Sequence, residues 1–296
     1  MTTAAAAPIL LALAAAITHA TWNFLLKRAG GGDAVVGLSK VAEAVVFAPF
    51  FVVAMLGTPA DHLTRLVPLA VIGAVLTGAN YVFLGRAYAT GQFSLVYPVS
   101  RGAILLVLPV LGWMVFRESI DPGTALSIAL ILAGILVMQL VSLTMDGLRQ
   151  FGGDLTTHKG TGFALLAATA AAGYTVWDKR AVQDIAPFTY FYGYTLLVAA
   201  GFALQLFTGP RRAHAMKEWR AHRTLVLTVG VLNTVTYLLV LFALRDGHST
   251  RIVAVRQLSI AIGAWLGWTL LQEAASPPRR LGVALILAGT LLVAIL

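Results

Sequence analysis

Arg101 and Arg256 each stand inside an apolar stretch, in "YPVSRGAILLV" and "IVAVRQLSIAI". A guanidinium within a membrane-length apolar segment costs at least ~2.5–3.5 kcal/mol on insertion scales, so neither side chain is expected to face lipid. Two readings are open. Either arginine can snorkel to an interface or cap carbonyls loosened by a nearby proline such as Pro98. Alternatively, the two forked donor sets face a common cavity and grip a carboxylate or phosphate. Lys40 would add a third positive charge, although Glu43 lies three residues on and can pair with it along one helix face.

A second set of residues stands out by spacing. His19, Trp22 and Asn23 in "HATWN", and Tyr174, Trp177 and Asp178 in "YTVWD", each form a polar and aromatic stripe at helical spacing. Such stripes either hydrogen-bond neighbouring helices or line a cavity. Asn80, Tyr81, Tyr97, Asn233, Tyr237 and Gln257 are further candidates for contact with a solute. Glu43 and Asp178 are the carboxylates expected within or near a span interior, where such a group can carry a proton along with a substrate. Asp178 precedes Lys179 and Arg180, so a salt-bridged cap at the membrane edge is the other reading. Tyr190, Tyr192 and Tyr194 alternate in "FTYFYGY" and read as an interfacial aromatic belt.

The elements that must position these residues are membrane spans. Hydrophobic residues make up 59% of the 296-residue chain and charged residues 11%, against about 25% charged in ordinary soluble domains. Runs long enough to cross a bilayer fall near 8–27, 34–56, 66–89, 95–116, 122–144, 161–179, 187–208, 222–244, 252–271 and 280–296. The opening "MTTAAAAP" has no basic region, and the run after it is expected to be the first span. The formal net charge of +9 is assigned to residues at span ends, with no basic surface left for nucleic acid. Without cysteine there is no disulfide or thiolate site. No cofactor or metal ligand set is expected.

The chain repeats itself. Trp22 and Trp177, Arg101 and Arg256, Glu118 and Glu273, and Pro122 and Pro277 each lie 155 residues apart, and "LILAG" at 130–134 recurs at 285–289. The two units are therefore 1–150 and 151–296. Five spans per unit is an odd number, so the second unit enters the membrane from the opposite side. Such inverted repeats place a substrate site near the midplane between them.

This pattern, with "HATWN" and the stretch "LVYPVSRGAILLVLPVLGWMVFRESIDPGTALSIALILAGILVM", resembles the EamA-like branch of the drug/metabolite transporter superfamily. The resemblance implies an all-α integral membrane protein of ten helices in two inverted five-helix repeats. It implies a secondary transporter, with Glu118 and Glu273 as helix-terminus or gating elements rather than substrate ligands. The expected partners are a small, polar or anionic solute, membrane lipid, and a coupled proton or counter-substrate; the expected location is the plasma (inner) membrane. Loop Lys and Arg favour both termini outside by the positive-inside rule, whereas the resemblance suggests both inside. An intramembrane enzyme is the weaker alternative, since HExxH, GxSxG and cysteine are all absent. A lipid or drug-like flippase on the same fold stays open.

Overall fold

The computed structural model describes residues 3–28, 33–56, 58–90, 93–140, 142–146, 149, 159–208, 210–270, 272 and 274–296. Side chains are described for these positions except 3–5, 27, 28, 33, 60, 88, 89, 93–98 and 159. Tyr97 thus falls in a helix whose side chain there lies outside the described residues, and Glu273 lies outside them altogether.

Every regular element among the described residues is a helix. In chain order they are α1 (Thr3–Arg28), α2 (Asp33–Leu56), α3 (Ala60–Thr90), α4 (Phe93–Phe116), α5 (Pro122–Val137), α6 (Lys159–Asp184), α7 (Pro187–Phe207), α8 (Arg211–Asp246), α9 (Ser249–Arg256), α10 (Leu258–Leu270) and α11 (Pro277–Ile295). Proline opens α5, α7 and α11 at a first-turn position, where its missing N–H is not needed. Asp121 caps α5: its Oδ1 accepts from the Thr124 backbone N–H at 2.9 Å. Eight segments among the described residues are long and apolar enough to cross a membrane, one of them formed by α9 and α10 together. The protein is an all-α integral membrane protein. The apolar α5 is shorter and stops at Val137, well before the expected limit at 144. Helix α6 carries Asp178 and Lys179 and falls outside those eight; it is wrapped by α3, α4 and α8.

The helix pairings follow the sequence repeat. An offset of 155 residues exchanges α1 with α6, α2 with α7, α3 with α8, α4 with α9–α10, and α5 with α11. The α3–α6 interface then maps onto α8–α1, α4–α6 onto α9/α10–α1, and α7–α3 onto α2–α8, while α2–α7 and α5–α11 map onto themselves. The correspondence extends to single atoms. A Cβ on Gly134 would meet the Gly282 carbonyl oxygen at 2.6 Å and the Ile286 backbone nitrogen at 2.9 Å. A Cβ on Gly289 would meet the Ser127 carbonyl oxygen at 2.7 Å and the Ile131 backbone nitrogen at 3.1 Å. Arg117 and Gln272, also 155 apart, share a left-handed backbone with φ of 56° and 53°. Both follow a span that must turn sharply at its end, a conformation uncommon for residues other than glycine.

Two departures from regular helix bear on function. The span formed by α9 and α10 breaks at Gln257, where the Gln257 N–H bonds the Ala254 carbonyl and the Ile260 N–H bonds that of Gln257. Helix α8 bends at His222, which has φ −128° and ψ 19°. The stretch from 211 to 221, which composition alone marks as a basic loop, is therefore a helical arm joined to the span at an angle.

The α5–α11 contact depends on three glycines, Gly134, Gly282 and Gly289, with no space for a side chain. Gly134→Val should lower stability by about 1–3 kcal/mol through overpacking, seen as a drop in melting temperature in detergent. Gly162, where a Cβ would meet nothing within 4 Å, serves as the control, and Gly162→Ala should leave that temperature unchanged or slightly higher.

Candidate functional site

A polar cavity of about 80 Å³ lies where the two halves meet, room for a few waters or one small solute. Helices α1, α3 and α4 supply His19, Asn80, Ser100 and Arg101; α6, α9 and α10 supply Tyr174, Arg256 and Ser259, with Gln257 at the break. Three pairs of lining residues are repeat equivalents: His19 with Tyr174, Arg101 with Arg256, and Ile104 with Ser259. The cavity is therefore lined in part by equivalent positions from both halves.

Its electrostatic character is positive. Both guanidinium groups lie within electrostatic reach of His19 and of Tyr174. No carboxylate is among the lining residues described. The helix break sits at Arg256 and Gln257, and the Gln257 side chain turns back to donate to the Val253 carbonyl at 3.1 Å. Broken spans at such sites bring backbone polar groups to a solute at mid-membrane depth. Asn80 is held by donating to the Ala167 carbonyl at 2.8 Å, which fixes α3 against α6 beside the cavity.

The remaining expected site residues serve elsewhere. Trp22 contacts His19 edge-on, with ring centroids 5.0 Å apart, and its buried Nε1 finds no hydrogen-bond partner among the described residues. Asn23 is exposed and donates to the His19 carbonyl at 2.7 Å. Trp177 donates to the Leu69 carbonyl of α3 at 2.9 Å. Lys40 pairs with Glu43 at 3.1 Å. Glu43 also accepts from Asn233 of α8 at 3.0 Å, so these three side chains form one polar contact between the halves. Tyr81 faces a separate groove beside Phe202. Of the two stripes, only His19 and Tyr174 reach the cavity, because helical spacing turns their companions toward neighbouring helices.

Asp178 is buried rather than placed at a membrane edge. It accepts hydrogen bonds from the Tyr190 hydroxyl at 2.7 Å and the Tyr237 hydroxyl at 2.5 Å. Arg256 lies within its electrostatic reach. The aromatic-belt reading of "FTYFYGY" is corrected by the same contacts. Tyr190, Tyr192 and Tyr194 are all buried, and the Tyr192 hydroxyl donates to the Ala44 carbonyl of α2. Alternation at i, i+2 and i+4 gives no hint of this, since the three rings fan across different neighbours.

At one end of the molecule a cluster of ionic contacts, the seal, ties the two halves together. Lys179 of α6 donates to Glu118 Oε1 and, at 2.6 Å, to the Gly247 carbonyl. Glu118 also accepts from the Ser249 hydroxyl at 2.6 Å and the Ser249 backbone N–H at 3.0 Å, at the start of α9. Beside it, Arg251 donates to Asp121 Oδ2 at 2.6 Å and to the Thr124 hydroxyl at 3.1 Å. Two acids of the first half thus hold three residues of the second. Sequence reasoning reached Glu118 but not Lys179, Ser249 or Arg251, which carry no motif. Burial pushes the Glu118 carboxyl up, but the hydrogen bonds from Lys179 and Ser249 outweigh it and hold its pKa below the ordinary value. The bonds from Thr124, then Arg251, hold Asp121 low as well. Among the described residues, no three His, Cys, Asp or Glu side chains converge as a metal ion would require.

Residues 158–295, just under half of the chain, match the EamA-like transporter family. A solved structure, described only as the crystal structure of a protein, superposes with a TM-score of 0.75 over 98% of each chain at 16% identity, which shows a shared fold. No curated protein matches the sequence.

The Glu118 seal makes stability depend on pH. A carboxyl with a depressed folded pKa stabilises the fold above its unfolded value, near 4.5, and that contribution is lost as pH falls through the folded value. Melting temperature should therefore drop on acidification below that point. Glu118→Gln should lose about 3 kcal/mol of stability at neutral pH, the cost of a broken buried pair, seen as a lower melting temperature, and its acid slope should be shallower.

Proposed function

We propose that this membrane transporter of the drug/metabolite type moves a small anionic or polar metabolite by alternating access between two inverted five-span repeats, 1–150 and 151–296. The observation that carries the reading is the pair Arg101 and Arg256, one from each half at equivalent positions, lining one cavity. Two guanidinium groups and no lining carboxylate suit a carboxylate or phosphate, which each fork can bind through two parallel hydrogen bonds. His19, Tyr174, Asn80 and Gln257 add neutral polar contacts that would orient the rest of the solute.

The ionic seal supports the mechanistic part. It joins the halves at the end where the α4–α5, α6–α7 and α8–α9 connections lie, and in this reading it is the gate on that side. In the cycle, Glu118 and Asp121 release Lys179, Ser249 and Arg251 as the halves rock, and the cavity opens on that side. Each group released goes into water rather than into hydrocarbon, which keeps the step within thermal reach. The plasma membrane is the proposed location.

Asp178 is proposed as the proton-coupling carboxylate. Two neutral hydroxyls hold it, and a Tyr hydroxyl can donate to the ionised form or accept from the protonated one. Glu43 is the lesser candidate, because Lys40 and Asn233 both address its ionised form.

Transport assays in liposomes test both parts. A panel of organic anions should be taken up with saturation, and Arg101→Ala or Arg256→Ala should each raise KM by at least about tenfold, the loss of one charge-assisted contact. Lysine at either position should restore part of the affinity. Uptake of cations that survives both alanine changes would refute the anionic assignment. Asp178→Asn should leave substrate binding nearly intact while abolishing the response of uptake to an imposed pH gradient; an unchanged response would remove Asp178 from coupling.

A further inference from the structure

A second, larger cavity is not used by this mechanism. It has a volume of about 910 Å³ and lies between α2, α3 and α7, on the side of α3 that carries Tyr81. Its walls are mostly apolar, among them Val36, Val82, Leu197 and Phe202. Along α3 it runs from Ala74 to Gly85, eleven residues or about 16 Å at the helical rise. That is about half of a ~30 Å hydrocarbon core, the depth of one leaflet.

The two ends of the groove differ. The inner end, at Ala74 and Leu197, is apolar. The outer end meets the first turn of the arm of α8, where Arg211 and His214 line it and Gln205 stands close by on α7. The arm rests on the protein through buried Ala215 and partly buried Trp219, and its exposed face carries Arg212, Lys217 and Arg220. A basic amphipathic helix of this kind sits at a membrane interface. Three glycines, Gly78, Gly85 and Gly201, face the groove, and a Cβ on any of them would meet nothing within 4 Å. The space is therefore not required by close helix packing.

The geometry points to a binding site for one anionic phospholipid of the adjoining leaflet, with an acyl chain along α3 and α7 and its phosphate against Arg211 and His214. Depth, apolar walls and a cationic end at interface height each match one part of such a lipid. A zwitterionic lipid would bring its own cation to that cationic end. The site is independent of the substrate cavity, so it stands or falls apart from the transport reading.

Native mass spectrometry of the full chain, purified in detergent with phosphatidylglycerol or phosphatidylcholine of matched chain length, tests the assignment. One phosphatidylglycerol should be retained at least about tenfold more strongly than phosphatidylcholine. The double change Arg211→Ala with His214→Ala should erase that preference. Gly78→Leu with Gly85→Leu should expel the lipid while the melting temperature in detergent stays close to that of the parent. Lys217→Ala with Arg220→Ala, on the arm but outside the groove, should change little. Equal retention of both lipids, equal loss in the Lys217/Arg220 variant, or undiminished lipid in the Gly78/Gly85 variant would each overturn the proposal. A dimer that dissociates when the groove is filled would do so too, by assigning the groove to a second copy of the chain. If the leucine variant fails to fold, the Arg211/His214 variant still decides the headgroup part.

Discussion

Hydrocarbon offers no hydrogen-bond partner, and every polar group in this molecule is placed under that constraint. Hydroxyls of Thr18, Ser39 and Thr175 turn back to carbonyls three or four residues earlier on their own helices. Others reach across helices, as Thr236 does to Thr18 and Asn80 to the Ala167 carbonyl. Charged groups gather at the Lys40–Glu43–Asn233 contact, at the Glu118 and Asp121 seal, at Asp178 between its two tyrosines, and at the central cavity. The cavity is lined by one guanidinium from each half and by no carboxylate among the lining residues described, which is why that space reads as the place for an anion.

The interfaces between halves divide into two mechanical kinds. The α5–α11 contact brings glycine against backbone, and it depends on shape alone. The ionic seal depends on a few strong, directional bonds that water can replace. A rocking motion of the kind proposed would preserve the first and exchange the second, since tight backbone packing moves as a unit while ionic groups at the end of a span re-form their bonds with water. The bend at His222 separates the arm of α8 from its span, so the arm can stay with the interface while the span follows the core.

The spans were legible because the bilayer imposes a length and a composition on each one, and the repeat was legible because Trp, Arg, Glu and Pro matches at one offset stand out against an apolar background. The candidate cavity was legible in part. Arg101, Arg256, His19, Tyr174, Asn80 and Gln257 come together as residues of types that are costly in lipid. Asn23, Trp177, Lys40, Asn233 and Tyr237 are of equally costly types, yet they bond at helix interfaces or on their own helix, while Trp22 packs edge-on against His19. Composition measures the cost of burying a side chain; it does not reveal which neighbour removes that cost.

From the sequence alone came the all-α membrane class, eight of the apolar spans, and the recurrence of residues at one offset. Each follows from local hydropathy or from identity between distant segments. Tertiary structure alone decided that Asp178 lies between two tyrosines, that Lys179 crosses to Glu118, and that a basic stretch becomes a bent helical arm beside a lipid-depth groove. Those outcomes depend on how helices rotate about their axes when they meet. Rotation is set by side-chain packing across interfaces, and no single helix carries that information by itself.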